Sequence, residues 1–292
     1  MALSACVLIV TKDRKDLAHR AVESARGQRD VERVLVIDDG SSDATHEELA
    51  QAFPDVDVIR SPSSRGSIVQ RNLGTELAGT DVVVGLDDDA YFTDEDVVAT
   101  ALAAFSDPRV GAVALTNGGP PQRSAAREGF LLAPAFVGCG YAVRREVFMA
   151  LAGFREHLVA YGEERDFCLR LIDAGYVISQ VPAALVVHEP AEARSWHRIA
   201  KLSRRNDILH VWQNVPLPYA PLHLLGVIGG GLKIGLSTGS LRWQLEGFAA
   251  GVRDCVIWST GPQPRASKQL QDGKSDGPRF GSAGVQPLRV PE

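Results

Sequence analysis

Asp81-Val82-Val83-Val84-Gly85-Leu86-Asp87-Asp88-Asp89 decides the fold: a short β-branched run that reads as a strand and breaks off into three carboxylates. Upstream, ACVLIVT (5–11), VERVLVID (31–38) and VDVIRS (56–61) have the same strand character, and VGAVALT (110–116) follows downstream. Between them lie RKDLAHRAVESARGQ, THEELAQAF, SIVQRNLGTELA and DEDVVATALAAF, whose apolar residues recur at helical spacing. Strand and helix in alternation imply an α/β fold, a Rossmann-like, doubly wound and mostly parallel sheet, with its ligand crevice beyond the carboxyl ends of the strands.

With 292 residues, 45% hydrophobic and 23% charged, the chain can bury a full core. A formal net charge of -5 argues against nucleic acid as a partner, since phosphate binding draws on a basic surplus. Cys6, Cys139, Cys168 and Cys255 are widely spaced in apolar contexts, so they read as free thiols in a reducing cytoplasm. The N-terminus reads as a first strand and not as an export signal. Pro221–Leu236, apolar but short for a span and carrying Lys233 and a Gly triplet, suits contact with a membrane surface better than a crossing.

The expected organisation is one domain in two halves, 1–115 and 116–192, a C-terminal helical extension over 193–260, and a disordered tail over 261–292, which is rich in Pro, Gly, Ser and charge. Within the second half, residues 117–129 form a Gly/Pro/Arg-rich connection expected to move. Helices start near Arg144 and Glu164, YVISQVP (176–182) and ALVVH (184–188) read as two strands, and a basic helix runs through WHRIAKLSRRNDILHVW.

Every polar motif sits at a strand end. Asp38-Asp39-Gly40-Ser41-Ser42-Asp43 is either a capped turn or a turn that aims Asp39 at the donors of a base or ribose. No G-x-G-x-x-G follows the first strand, which disfavours a dinucleotide oxidoreductase, and TKDRKD is not the Gly-rich loop of a nucleotidyltransferase. Alternation puts Asp87 and Asp89 on one side of the chain and Asp88 on the other. Either the three splay into water or a hard divalent cation neutralises them and grips diphosphate oxygens. Arg198, Lys201 and Arg205 share a helix face that is either solvated or able to help hold a leaving diphosphate.

Farther along come Gly138-Cys139-Gly140 followed by Arg144-Arg145, then Glu163-Glu164-Arg165-Asp166, and finally His188. With Arg65-Gly66 and Arg71-Asn72-Leu73-Gly74, these motifs resemble, in order, those of the family-2 glycosyltransferases of the nucleotide-diphospho-sugar transferase (GT-A) fold, over roughly residues 5–210. The resemblance implies that Thr11, Asp13, Arg14, Asp39, Arg65 and Arg71 border the nucleotide of a nucleotide-sugar donor, together with Asp87 and Asp88. Gly138, Cys139 and Gly140 would let backbone approach the sugar, where a Cβ would intrude. Asp89, Asp87 and His188 would hold Mn²⁺ or Mg²⁺. Glu164, with Glu163 and Asp166 beside it, would supply the general base, although the family usually has Asp at position 164; the alternative is that the three carboxylates favour a helix N-terminus.

The implied reaction is inverting transfer from a UDP, dTDP or GDP sugar to a hydroxyl or amine of a glycan, lipid-linked or small-molecule acceptor. The competing reading is a catalytically weak sugar-nucleotide or glycan-binding protein.

Overall fold

The computed structural model describes residues 3–118, 131–189 and 195–260. The tail over 261–292 and most of the connection over 117–129 lie outside the described residues. One sheet organises the chain. Its strands are β1 (Ala5–Thr11), β2 (Arg33–Asp38), β3 (Asp57–Arg60), β4 (Val82–Asp87), β5 (Ala90–Phe92), β6 (Val110–Asn117), β7 (Leu131–Ala133), β8 (Gly140–Arg144) and β9 (Val177–His188). They lie in the order 3-2-1-4-8-6-9-5, with β7 also paired to β9. β3, β2, β1 and β4 are mutually parallel; β8 runs antiparallel between β4 and β6, so β6 and its parallel partner β9 point the same way as β4. The sheet is therefore mostly parallel, and β8 joins the two halves of the chain in one layer.

Helices α1 (Lys15–Arg26), α2 (Thr45–Ala52), α3 (Ser67–Leu77), α4 (Val97–Ala103), α5 (Arg145–Ala150) and α6 (Glu163–Asp173) cover the sheet. α1 shows why: Ala18, Ala21, Val22 and Ala25 recur at helical spacing and are all fully buried, so this stripe packs against the sheet. Aromatic rings fill the opposite side. Phe136 stacks on Tyr141 with ring centroids 4.5 Å apart, and Phe148, Phe154 and Phe167 close the cluster edge to face.

Two expectations are revised. The segments 176–182 and 184–188 form the single strand β9, because the register between β6 and β9 shifts between Leu115 and Thr116; the chain around Pro182 bulges where it has no amide to give the ladder. The apolar stretch from Pro221 is part of a longer helix, α8 (Ala220–Thr238), 19 residues with a mean hydropathy of 1.2 and little buried surface. By length and composition it could cross a membrane. α7 (Trp196–Asn214) and α9 (Leu241–Thr260) complete the described residues, packed together through Arg204, whose Nε donates to Gln244 Oε1 at 2.9 Å. All four cysteines are free.

Gly85 lies directly across from Tyr141 on β8, and a Cβ there would overlap the Tyr141 ring. That ring is fully buried and stacked, with nowhere to retreat. Gly85→Ala is expected to cost about 1–3 kcal/mol of stability by overpacking, read as a lowered urea midpoint; an unchanged midpoint would mean the aromatic cluster yields freely.

Candidate active site

Because β1, β2, β4 and β9 are parallel, the residues at their carboxyl ends meet along one edge of the sheet: Thr11, Asp38-Asp39, Asp87 and His188. A cleft of about 900 Å³ opens there, lined also by Arg14, Arg71, Glu163, Glu164 and Arg198. Pairing of β5 with β9 sets Ala90 opposite His188, and Glu189 donates its amide to Asp89 O at 2.8 Å. Register alone thus brings His188 to Asp89, with Nε2 3.0 Å from Oδ1.

The acidic triplet divides as alternation requires. Asp88 turns toward β1 and accepts from Thr11 Oγ1 at 3.0 Å and Arg14 Nη1 at 2.9 Å. Burial pushes its carboxyl up to about 6, against the pull of Arg14 and Thr11. Asp87 and Asp89 face the cleft, and one ligand atom from each, with one from His188, all lie within 4.8 Å of one another. Two carboxylate oxygens and an imidazole nitrogen converging on open space suit a hard or borderline divalent cation, so these residues fit the metal that the sequence implies.

Arg71 crosses the cleft floor. It donates to Asp87 Oδ1 at 2.5 Å and to Glu163 Oε1 at 3.1 Å, tying the end of β4 to the start of α6. Glu163 is buried, and its second oxygen has no hydrogen-bond partner. Glu164 is only half-buried and lines the cleft. Burial, then the adjacent Glu163 carboxylate, pushes its pKa up to about 7 despite Arg71. Asp39 also borders the cleft, but both its oxygens are engaged, by the amides of Arg65 and Gly66, Ser64 Oγ and Gln70 Nε2. Burial alone would raise its pKa; these donors outweigh it and hold the carboxyl below the usual range.

Several sequence-read residues lie elsewhere. Asp13 accepts from Ser42 N and Oγ and pins the loop after β2, with its own backbone left-handed at φ 51°. Arg65 is exposed and reaches Asp39 through its amide, and Cys139 is buried in the core. Asp166 accepts from Arg155 at 2.7 Å and from Arg170 and Asn214 at 3.0 Å, so it anchors α6 to α7 and does not reach the cleft. Lys201 pairs with Glu246 at 3.6 Å, while Arg205 is held by Asp254 and the His157 carbonyl; of the basic face only Arg198 lines the cleft. The space a Cβ would take at Gly138 is filled by Glu164 Oε1 and Arg71, and at Gly140 by Val186.

Sequence reading missed Gln70, the Val159–Gly162 rim and Asn206. The first is hidden in an ordinary helical pattern, and the second in a short loop where Gly162 gives no sign of the left-handed Val159 and Tyr161 before it. Asn206 left a trace, a poor helix former in mid-helix beside two arginines.

Residues 6–128 match the family described as "Glycosyl transferase family 2". Over 211 residues the chain is 31% identical to the "Pre-mycofactocin glycosyltransferase" of Mycobacterium tuberculosis, covering 65% of this chain and 44% of that protein. The chain thus spans less than half the length of that curated relative. Among solved structures it is similar to the mannosyltransferase PcManGT from Pyrobaculum calidifontis in complex with GDP-Man and Mn²⁺, with a TM-score of 0.61 at 20% identity, covering 94% of this chain and 80% of that one. It is also similar to S. aureus TarS 1-349 in complex with UDP-GlcNAc, with a TM-score of 0.64 at 14% identity and coverage of 87% and 81%. The fold is that of the GT-A glycosyltransferases. Over residues 6–128 the chain is similar to glycosyl transferase family 2.

Gly138→Ala would drive a methyl group into the Glu164 carboxylate. Sugar-nucleotide turnover is expected to drop at least tenfold in a protein whose circular dichroism is unchanged, since a displacement of about 1 Å within a catalytic cleft can cost that much. Wild-type turnover would show that Glu164 need not stay where it is.

Proposed function

We propose that the chain is a metal-dependent, inverting glycosyltransferase that moves a sugar from a nucleotide-diphosphate donor to an acceptor hydroxyl or amine, with Glu164 as general base. The observation that carries the proposal is the shared cleft. A half-buried carboxylate with a pKa near 7 faces the same space as a two-carboxylate, one-histidine cation site. That PcManGT was solved with GDP-Man and Mn²⁺, and TarS with UDP-GlcNAc, supports a donor of this type.

In this reading the donor lies across the ends of β1, β2 and β4, with Asp39 and the turn after β2 bordering the nucleotide. A divalent cation bound at Asp87, Asp89 and His188 supplies neutralisation of the diphosphate. Arg71 keeps Asp87 and Glu163 in place, and Arg198 at the rim adds positive charge near the departing nucleotide. Glu164 takes the acceptor proton as the acceptor oxygen or nitrogen attacks the anomeric carbon. The bond from that carbon to the diphosphate breaks on the opposite face, and the configuration inverts. Glu163 is the poorer base because it is buried and engaged by Arg71. The exposed apolar α8 supports peripheral contact with a membrane, which would suit a lipid-linked acceptor.

Metal dependence tests the cation site. EDTA should abolish nucleoside-diphosphate release from GDP-mannose, UDP-GlcNAc or whichever sugar nucleotide proves active, Mn²⁺ or Mg²⁺ should restore it, and Asp89→Asn should weaken donor binding as well as turnover. Full activity in chelator would sink the reading.

Glu164 must be ionised to accept a proton, so kcat/KM should climb about tenfold per pH unit below about 7 and level off above. Glu164→Gln should lower turnover by roughly 10²-fold or more and remove that limb, with donor affinity nearly unchanged. A fully active Glu164→Gln would mean the proton leaves by another route.

A further inference from the structure

The rim of the cleft just before Glu163 and Glu164 is strained. Val159 sits at φ 66° and ψ -51°, and Ala160 N donates to Leu158 O at 2.7 Å; this is the γ-turn of the rare, strained hand, in a β-branched residue. Tyr161 follows at φ 68° and Gly162 at φ 93°. Only the glycine adopts such values without cost. Backbone in this state persists only where its surroundings over-determine it.

One side chain does so. Asn206 on α7 is buried, and its amide nitrogen donates to three carbonyls of this rim: Leu158 at 2.9 Å, Ala160 at 2.8 Å and Tyr161 at 2.8 Å. Two hydrogens are shared among three acceptors, so the amide is fully committed. The amide oxygen accepts from Arg205 Nη1 at 2.8 Å, which fixes which end of the amide faces the loop. Arg205 in turn donates to His157 O at 3.0 Å and pairs with Asp254 on α9. Neither side chain lines the cleft.

We propose that Asn206, braced by Arg205, is a positioning residue: it holds the 158–162 rim in its strained form and so delivers Glu164 to the acceptor side of the cleft. The inference rests on Glu164 being the base. Without the three hydrogen bonds, Val159 and Tyr161 would relax toward ordinary backbone. The start of α6 would turn with them, because Gly162 directly precedes Glu163 and accepts from Asp166 N at 3.1 Å.

The test compares Asn206→Ala and Asn206→Ser with wild type, the serine keeping one donor in case the alanine variant folds poorly. Turnover of the most active sugar nucleotide is followed as nucleoside-diphosphate release, and binding of UDP or GDP with Mn²⁺ by calorimetry. The expected result is a kcat loss of about 10- to 100-fold in Asn206→Ala, smaller in Asn206→Ser, with nucleotide affinity within about threefold. Adding Val159→Gly to Asn206→Ala should recover part of the loss, because glycine adopts the turn unaided. A merely structural asparagine would lower the melting temperature and leave kcat intact. Folded Asn206 variants with wild-type kcat, beside an inactive Glu164→Gln, would overturn the clamp and leave the base in place. An active Glu164→Gln would instead overturn the base.

Discussion

The site depends on one guanidinium. Arg71 lies nearly buried between Asp87 and Glu163, residues from opposite halves of the chain that would otherwise repel across the cleft floor. Without it, the end of β4 and the start of α6 would each carry unpaired negative charge into a half-closed space, a cost of several kcal/mol per ion. Six carboxylates line this cleft, Asp39, Asp87, Asp88, Asp89, Glu163 and Glu164, against the guanidiniums of Arg14, Arg71 and Arg198 and the Lys12 ammonium. Burial raises the pKa values of Asp88 and Glu164, to about 6 and about 7, and neighbouring carboxylates add to the rise. A divalent cation at Asp87 and Asp89 would relieve the excess there, while Arg71 relieves it at Asp87 and Glu163, so Asp87 sits where the two influences would meet.

How the sheet sets this up was largely legible in the sequence. β1, β2 and β4 are buried β-branched runs, and period-2 alternation separated Asp88 from Asp87 and Asp89 correctly. What stayed hidden was whatever depends on non-local pairing. The insertion of β8 antiparallel between β4 and β6 has no local signal, and neither has the bulge that joins 176–182 to 184–188 into one strand. The basic face on α7 divides: Arg198 lines the cleft, and the others do not. Spacing placed Arg198, Lys201 and Arg205 on one side of a helix, but spacing says nothing about what packs there. α9 packs there and claims Lys201 and Arg205 through Glu246 and Asp254.

The C-terminal helices also change what the acidic string at 163–166 means. Asp166 looked like a third catalytic carboxylate because it stands two residues from Glu164. On a helix that offset is about 200° of rotation, so the two side chains leave in nearly opposite directions. Glu164 faces the cleft; Asp166 faces α7 and is bound by Arg155, Arg170 and Asn214. Sequence proximity therefore grouped residues that helix geometry separates. Asn206, 42 residues beyond Glu164, belongs with it more closely than Asp166 does.

The glutamate at position 164, where the resemblance leads one to expect aspartate, has its physical counterpart in Gly138. An added methylene carries the carboxylate about 1.5 Å farther from the helix, on the scale of one carbon–carbon bond. In this protein the extra reach ends where a side chain at 138 would begin, beside Arg71. The glycine in the Gly138-Cys139-Gly140 turn thus makes space for the Glu164 carboxylate, and the aromatic cluster behind Tyr141 fixes the strand that follows. Two constraints then bear on one carboxylate: the floor sets how far it reaches, through Gly138 and Arg71, and the rim sets where its helix begins, through the left-handed turn at Val159. Because these come from different elements, either can fail while the other holds. Losing the floor leaves Glu164 correctly launched but displaced, and losing the rim leaves room for a carboxylate that no longer points into it.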